Sequence, residues 1–291
     1  MLFDFPTLLN VLISGLMTGL VYGLMALGLS VIFGVARVVN FAHGEMTAVA
    51  MYAATFLFSS FGINPFLAVL PIGVAFFFFG YGLQSIVIRP FIVRPQHTQF
   101  LLLLAVAIIL TSTLLIVFGP DARAINLDTL LEPVAIGELL LDRAKLYAAA
   151  VACIATAALF AFFRFSRIGT AVRACADNWL GARIVGLDVH RLYAIAFGIG
   201  AACVAAAGCM MILLVDVTPG SGPAYTLLAF VIVIVGGLGS MSGALLGGVL
   251  IGISEALGGL FIAPSAKSMI SFALMIIVLI FRPRGLIAEK L

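Results

Sequence analysis

An all-α, polytopic transmembrane helix bundle of about 8–9 spans, two of them interrupted, is the fold class this sequence predicts. Three observations carry it. The 291-residue chain is 64% hydrophobic and 9% charged, whereas a soluble domain is about half apolar and about a quarter charged. Apolar runs of about 20 residues, enough to cross roughly 30 Å of hydrocarbon as helix, recur along its whole length. The runs are continuous rather than alternating, so the backbone is satisfied as helix and not as a barrel.

Taken in order, the runs lie near 8–34, 43–60, 64–88, 98–118, 144–163, 192–215, 224–239, 243–262 and 267–281. No Lys or Arg precedes the first, and Asp4 stands where a signal peptide would be positive, so this helix is expected to be retained. Its Gly15, Gly19 and Gly23 share one face, a spacing that lets another helix approach closely in lipid. The stretch "VVNFAHGEMTA" separates it from the second run and places Asn40, His43 and Glu45 between apolar segments. The third and fourth runs flank "RPFIVRPQH", residues 89–97. The fifth follows a loop, 119–143, with Asp121, Asp128, Glu132, Glu138 and Asp142 against only Arg123 and Arg143. Between the fifth and sixth lie Arg164, Arg167, Arg173, Arg183 and Arg191.

Basic loops face the cytoplasm, so 89–97, 164–191 and the tail "FRPRGLIAEKL" are read as inside and 119–143 as outside. Nine spans then put the N-terminus outside; eight, with one re-entrant segment, put it inside.

A second interruption is predicted within "GGLGSMSGALLGG". Gly236, Gly237, Gly239, Ser240 and Gly243 are too dense in glycine for an undisturbed helix. Interrupted helices near both ends of a chain point to a transport site, where freed N–H groups and the positive end of a helix can face an anionic group. The amide of Asn40 is suited to satisfying freed backbone groups. Glu45 is expected to be held by His43 or Arg37, because an unpaired carboxylate in lipid is costly. The same residues also read as a cytoplasmic turn that caps the next helix. Glu255 is expected to have a structural partner in the bundle.

The inside segment "SRIGTAVRACADNWLGARIVGLDVHR" carries an apolar stripe of Ile168, Ala171, Val172, Cys175, Trp179 and Ala182 at helical spacing. Such a helix needs a cover, either lipid and its own bundle or a docked soluble partner.

Several chemistries are excluded. "HGE" has no P-C-x-x-C after it, and HExxH, G-x-S-x-G and the P-loop are absent. Cys153, Cys175, Cys203 and Cys209 form no CxxC pair and read as packing residues. Scattered bases and a net charge of +3 give no nucleic-acid footprint. The chain is expected to be no enzyme and to bind no metal.

"NFAHGE", "GTAVRACADN" with "GLD", "GGLGSMSGALLGG" and the terminal "RPRGL" occur in that order. Together they resemble the permease subunit of branched-chain amino-acid ABC importers, the LivH-like group, over essentially the whole chain. The resemblance implies a single permease domain, 1–291, in a bacterial inner membrane. The partners it implies are a second homologous permease (LivM-like), two cytoplasmic ATPase subunits (LivG/LivF-like) and a periplasmic substrate-binding protein. The ATPases would use ATP and Mg, and this chain would bind no cofactor. It implies that both interrupted regions line the translocation path. It also implies that 164–191 couples to the ATPase through Arg173, Ala174, Asp177, Asn178, Ala182 and Gly186. One departure is Leu228, where the group's pattern has a lysine before Ala-Phe. Urea, short amides and aromatic acids are alternative cargoes on this scaffold. From other classes, an ion-coupled secondary transporter using His43, Glu45 and Glu255 is a rival, and a channel lacks a filter motif such as TVGYG.

Overall fold

The computed structural model describes residues 5–92, 94, 96–125, 127, 130, 132–136, 139–262 and 267–287, without the side chains of residues 96 and 136. Asp4, Asp128, Glu138 and the last four residues, which entered the reading of charge above, lie outside the described residues. The helices are α1 (Phe5–Ala36), α2 (His43–Phe61), α3 (Pro65–Gly82), α4 (Gln96–Phe118), α5 (Arg143–Phe165), α6 (Arg167–Asp177), α7 (Trp179–Ile184), α8 (Val189–Met211), α9 (Gly222–Gly236), α10 (Met241–Phe261) and α11 (Lys267–Phe281). A π-helical segment, Leu83–Ile88, extends α3. Strands β1 (Val134–Ile136) and β2 (Leu139–Leu141) pair antiparallel ahead of α5.

Among the described residues, seven helices are long and apolar enough to cross a membrane. α11 is shorter, and α2, which carries Glu45 in its first turn, falls outside that set. With these two, the nine apolar runs read from the sequence each correspond to a helix. Short polar side chains set many of the boundaries. Asp142 accepts from Ala144 N at 2.8 Å, Ser166 from Gly169 N at 2.8 Å and Asn178 from Gly181 N at 2.8 Å, each capping the helix that follows.

α1 and α8 form the centre. Their most apolar windows are 78% and 83% buried inside the bundle, whereas that of α4 is 17% buried and leaves its side chains for lipid. α1 runs antiparallel to α10 along a seam that is glycine on both sides. A Cβ on Gly15 would lie 2.8 Å from Gly252 O, one on Gly19 2.7 Å from Gly248 O, and one on Gly252 2.5 Å from Gly15 O. Without a strong hydrophobic drive between helices in lipid, this backbone-to-backbone approach supplies the dispersion contact.

The first turns of α1 meet β2 and the start of α5: Asn10 Oδ1 accepts from Leu140 N at 3.2 Å and Lys145 Nζ donates to Ser14 Oγ at 2.7 Å. The tail returns to the other end of the bundle, where Leu286 N donates to Val235 O and Ile287 N to Gly236 O, both at 2.9 Å. The beginning of α1 and the tail are therefore at opposite ends of the bundle, as any odd number of crossings requires.

Candidate functional site

The first break begins where α1 stops at Ala36. Arg37 takes a left-handed backbone, φ 56°, and turns the chain back. Residues 37–42 then climb along α1 until α2 starts beside Met25. His43 Nε2 donates to Met25 O at 2.9 Å. Met25 lies 11 residues before Ala36, about 16 Å along the helix axis, so α2 starts deep inside the bundle. Gly28 makes room for the imidazole, since a Cβ there would lie 3.3 Å from His43 Cε1.

Each polar group in the break has a distinct task. Asn40 Oδ1 accepts from Ala42 N at 3.1 Å, an Asx turn that shapes the entry to α2, and its Nδ2 faces Met46 Sδ at 3.5 Å. Phe41 anchors the turn between Phe100, at 4.4 Å edge-on, and Phe230, at 5.1 Å. The bond to Met25 puts the proton of a neutral His43 ring on Nε2, which leaves Nδ1 as an acceptor. That Nδ1 is buried without a hydrogen-bond partner.

Glu45 is 5% exposed. Its partner is neither His43, which is engaged by Met25, nor Arg37, which is exposed; that expectation is corrected. The start of α2 instead turns Glu45 toward α9. Thr226 Oγ1 donates to Glu45 Oε2 at 3.0 Å and accepts from Gly44 N at 2.8 Å. A Cβ on Gly44 would collide with Gly222 O and Thr226 N, and one on Gly222 would lie 2.7 Å from Glu45 Cγ. The first turns of α2 and α9 thus meet through two glycines, with a carboxylate between their positive ends. Sequence reasoning missed Thr226. It lies 181 residues from Glu45, and no local signal marks it.

The second break is built differently. α9 ends at Gly236, Gly237 has φ 118° and Gly239 φ 83°. Gly236 packs directly on the backbone of Gly243, and Gly237 on Ile287 O. Ser240 Oγ accepts from Gly243 N at 3.1 Å to cap α10, while Ser240 O accepts from Ser30 Oγ at 3.0 Å. The tail bonds to Val235 O and Gly236 O occupy the freed carbonyls. The terminal "RPRGL" motif therefore closes the end of α9. All five of the residues named from this region are buried. Thr226 and Gly236 stand at opposite ends of α9, about 15 Å apart along its axis, so the two breaks do not form one cluster. Leu228 is partly buried against the apolar core.

Glu255 has its structural partners: Ser271 Oγ donates to it at 2.6 Å, and Tyr22 is hydrogen-bonded to it. It faces a cavity of about 540 Å³, lined also by Ser14, Lys145 and Lys267.

The 164–191 segment is not one continuous helix. Asn178 adopts an extended backbone and divides α6 from α7. Val172, Cys175 and Ala182 pack into the core, and burial raises the Cys175 thiol pKa. Trp179 (54%), Leu180 (54%), Ile184 (78%) and Val185 (75%) remain exposed. Ala174, Asp177, Asn178 and Gly186 are exposed beside them. Arg173 faces inward, toward Ser240 and Ser242 at the start of α10. Among the described residues no group of three or more His, Cys, Asp or Glu is placed to hold a metal.

A family model described as branched-chain amino acid transport system / permease component matches residues 11–279. The high-affinity branched-chain amino acid transport system permease protein LivH of Escherichia coli (strain K12) is 28% identical, over 98% of this chain and 97% of that one. The high-affinity branched-chain amino acid transport system permease protein BraD of Pseudomonas aeruginosa is 29% identical, over 97% and 96%. A probable branched-chain amino acid transport permease protein LivH of Methanocaldococcus jannaschii is 28% identical, over 90% and 87%. With a buried polar helix start in a multi-pass bundle and a family match over nearly all of its length, this chain belongs to the branched-chain amino acid transport system permease family.

Proposed function

We propose that this chain is the inner-membrane permease subunit of an ATP-driven importer for branched-chain or similar small amino acids. The observation that carries the site is the buried junction of α2 and α9, where Glu45 and Thr226 meet at mid-bundle, with His43 on the α1 side of the same helix start. A zwitterion suits such a place. Its ammonium group finds a carboxylate, and its carboxylate finds the N–H groups of helix starts.

The chain performs no covalent chemistry in this reading and binds no cofactor. ATP and Mg belong to two cytoplasmic ATPase subunits, a periplasmic protein delivers the solute, and a second homologous permease completes the pathway. The exposed apolar side chains of α7, with Ala174, Asp177, Asn178 and Gly186, supply a contact for an ATPase. Displacement there reaches α8, on which both α6 and α7 pack. α8 in turn touches α1 at Gly28 and Gly200, and α2 at Gly208 and Ala50. An ion-coupled carrier would leave the apolar surface of α7 without a use.

Asp177→Arg in the reconstituted complex tests the coupling. The exposed side chain leaves folding intact, while charge reversal at a docked face lowers ATPase association and uptake together. Normal ATPase retention with normal uptake would remove this segment from the interface. Uptake of radiolabelled leucine, urea and an aromatic acid, compared in the same vesicles, decides the cargo.

A further inference from the structure

Between the end of α5, the inward face of α6 and the start of α10 lies a pocket of about 670 Å³. One wall is apolar, with Phe160, Ala161 and Phe165. The other presents Arg164, Arg173 and Ser240. Among the described residues no carboxylate lines it, and neither arginine has an ion-pair partner. Arg173 Nε is buried without any hydrogen-bond partner, and Arg164 rests over the Phe165 ring, 5.6 Å from its centroid. The buried Nε of Arg173 is a donor without a partner, which is costly, and with the exposed Arg164 lining the same pocket the positive charge there favours an anion.

The depth narrows the class of anion. α1, with 32 residues, is about 48 Å long, while the hydrocarbon layer is about 30 Å thick, so a centred α1 projects about 9 Å at each end. Ser30, which holds Ser240 O, lies six residues before Ala36, also about 9 Å from the end. The pocket is therefore level with the hydrocarbon boundary, where lipid phosphates begin. The excess of arginine nearby is the mark of the cytoplasmic leaflet, which carries anionic lipid.

We propose that this pocket holds the phosphate of an anionic phospholipid headgroup between Arg164 and Arg173, with an acyl chain against Phe160 and Phe165. The guanidiniums bind the phosphate oxygens by charge-assisted hydrogen bonds, and the Ser240 hydroxyl stands at the α10 side of the pocket. The lipid ties α6 to the start of α10. This assignment is independent of the solute carried and of what docks on α7.

The test uses the full chain in its purified complex, with retention of phosphatidylglycerol measured by native mass spectrometry. Phosphatidylcholine with the same acyl chains and inorganic phosphate alone are the comparison arms. Phosphatidylglycerol is expected to bind at least about tenfold more tightly than either, with the preference lost in Arg164→Gln and Arg173→Gln and kept in Arg167→Gln, which lies on the outer face of α6. If Arg173→Gln fails to fold, Arg164→Gln, at an exposed position, decides alone. Equal retention of the two lipids, equal binding of free phosphate, or an unchanged preference in Arg164→Gln would overturn the proposal. So would a carboxylate of a partner subunit found seated between the two arginines.

Discussion

The two breaks, 40–45 and 236–243, look alike in sequence as polar or glycine-rich gaps between apolar runs, yet they solve different problems. At the second, every element is spent on structure. Glycines let backbones touch, Ser240 caps α10, and the tail fills the carbonyls of α9. At the first, side chains carry the break, and two groups exceed what the turn needs: the Glu45 carboxylate and the open Nδ1 of His43. An interruption by itself is therefore weak evidence for a transport site. Polar capacity left over after the backbone is satisfied is stronger evidence, and only the first break has it.

The comparison breaks most readily at its glycines. Gly236→Ala puts a methyl group into the backbone of Gly243, which cannot yield as a side chain would. A loss of about 3 kcal/mol is expected, the upper range for overpacking. It is read as a fall in folded protein by thermal scanning in detergent. A fully stable Gly236→Ala would mean that the second break has slack and is not a closed structural device.

Less is lost at the tail. Leu286→Pro removes the donor to Val235 O and leaves that carbonyl without its bond, at a cost of about 1–3 kcal/mol. Hydrogen exchange at the last turn of α9 should rise while α2 stays protected. Equal loosening at both places would show that the two breaks are not separate units.

The smallest effects sharpen the contrast between caps. Ser240→Ala and Asn40→Ala each remove one side-chain bond to a backbone N–H, worth about 1 kcal/mol. Both should lower the melting temperature by a similar few degrees. Per unit of stability lost, Asn40→Ala should reduce uptake more, because it also shifts the start of α2. Equal uptake losses would remove the functional distinction drawn between the breaks.

Much of the fold was legible because lipid leaves a chain few options. A 20-residue apolar run in a membrane must be helix, and the nine runs near 8–34 through 267–281 match α1–α5 and α8–α11 closely. Gly15, Gly19 and Gly23 signalled a close approach, and their partners are Gly248 and Gly252 of α10. The site was only half legible. Asn40, His43 and Glu45 stand out locally, but the partner of Glu45 depends on which way the first turn of α2 faces. That direction is set by Gly44 meeting Gly222, a contact without periodicity. The division at Asn178 was hidden because the apolar stripe continues through it, and the tail motif gave no hint that it would close α9.

We propose that the charge of Glu45 serves the solute's path rather than the fold. Glu45→Gln keeps the shape and still accepts from Thr226 Oγ1, so the complex should assemble at wild-type abundance. The deciding measurement is ATP-driven uptake of leucine by proteoliposomes holding equal amounts of assembled wild-type and Glu45→Gln complex. Uptake is expected to fall about tenfold, equivalent to roughly 1.4 kcal/mol, with ATPase retention unchanged. Wild-type uptake by Glu45→Gln would contradict it and reduce the first break to a second structural turn.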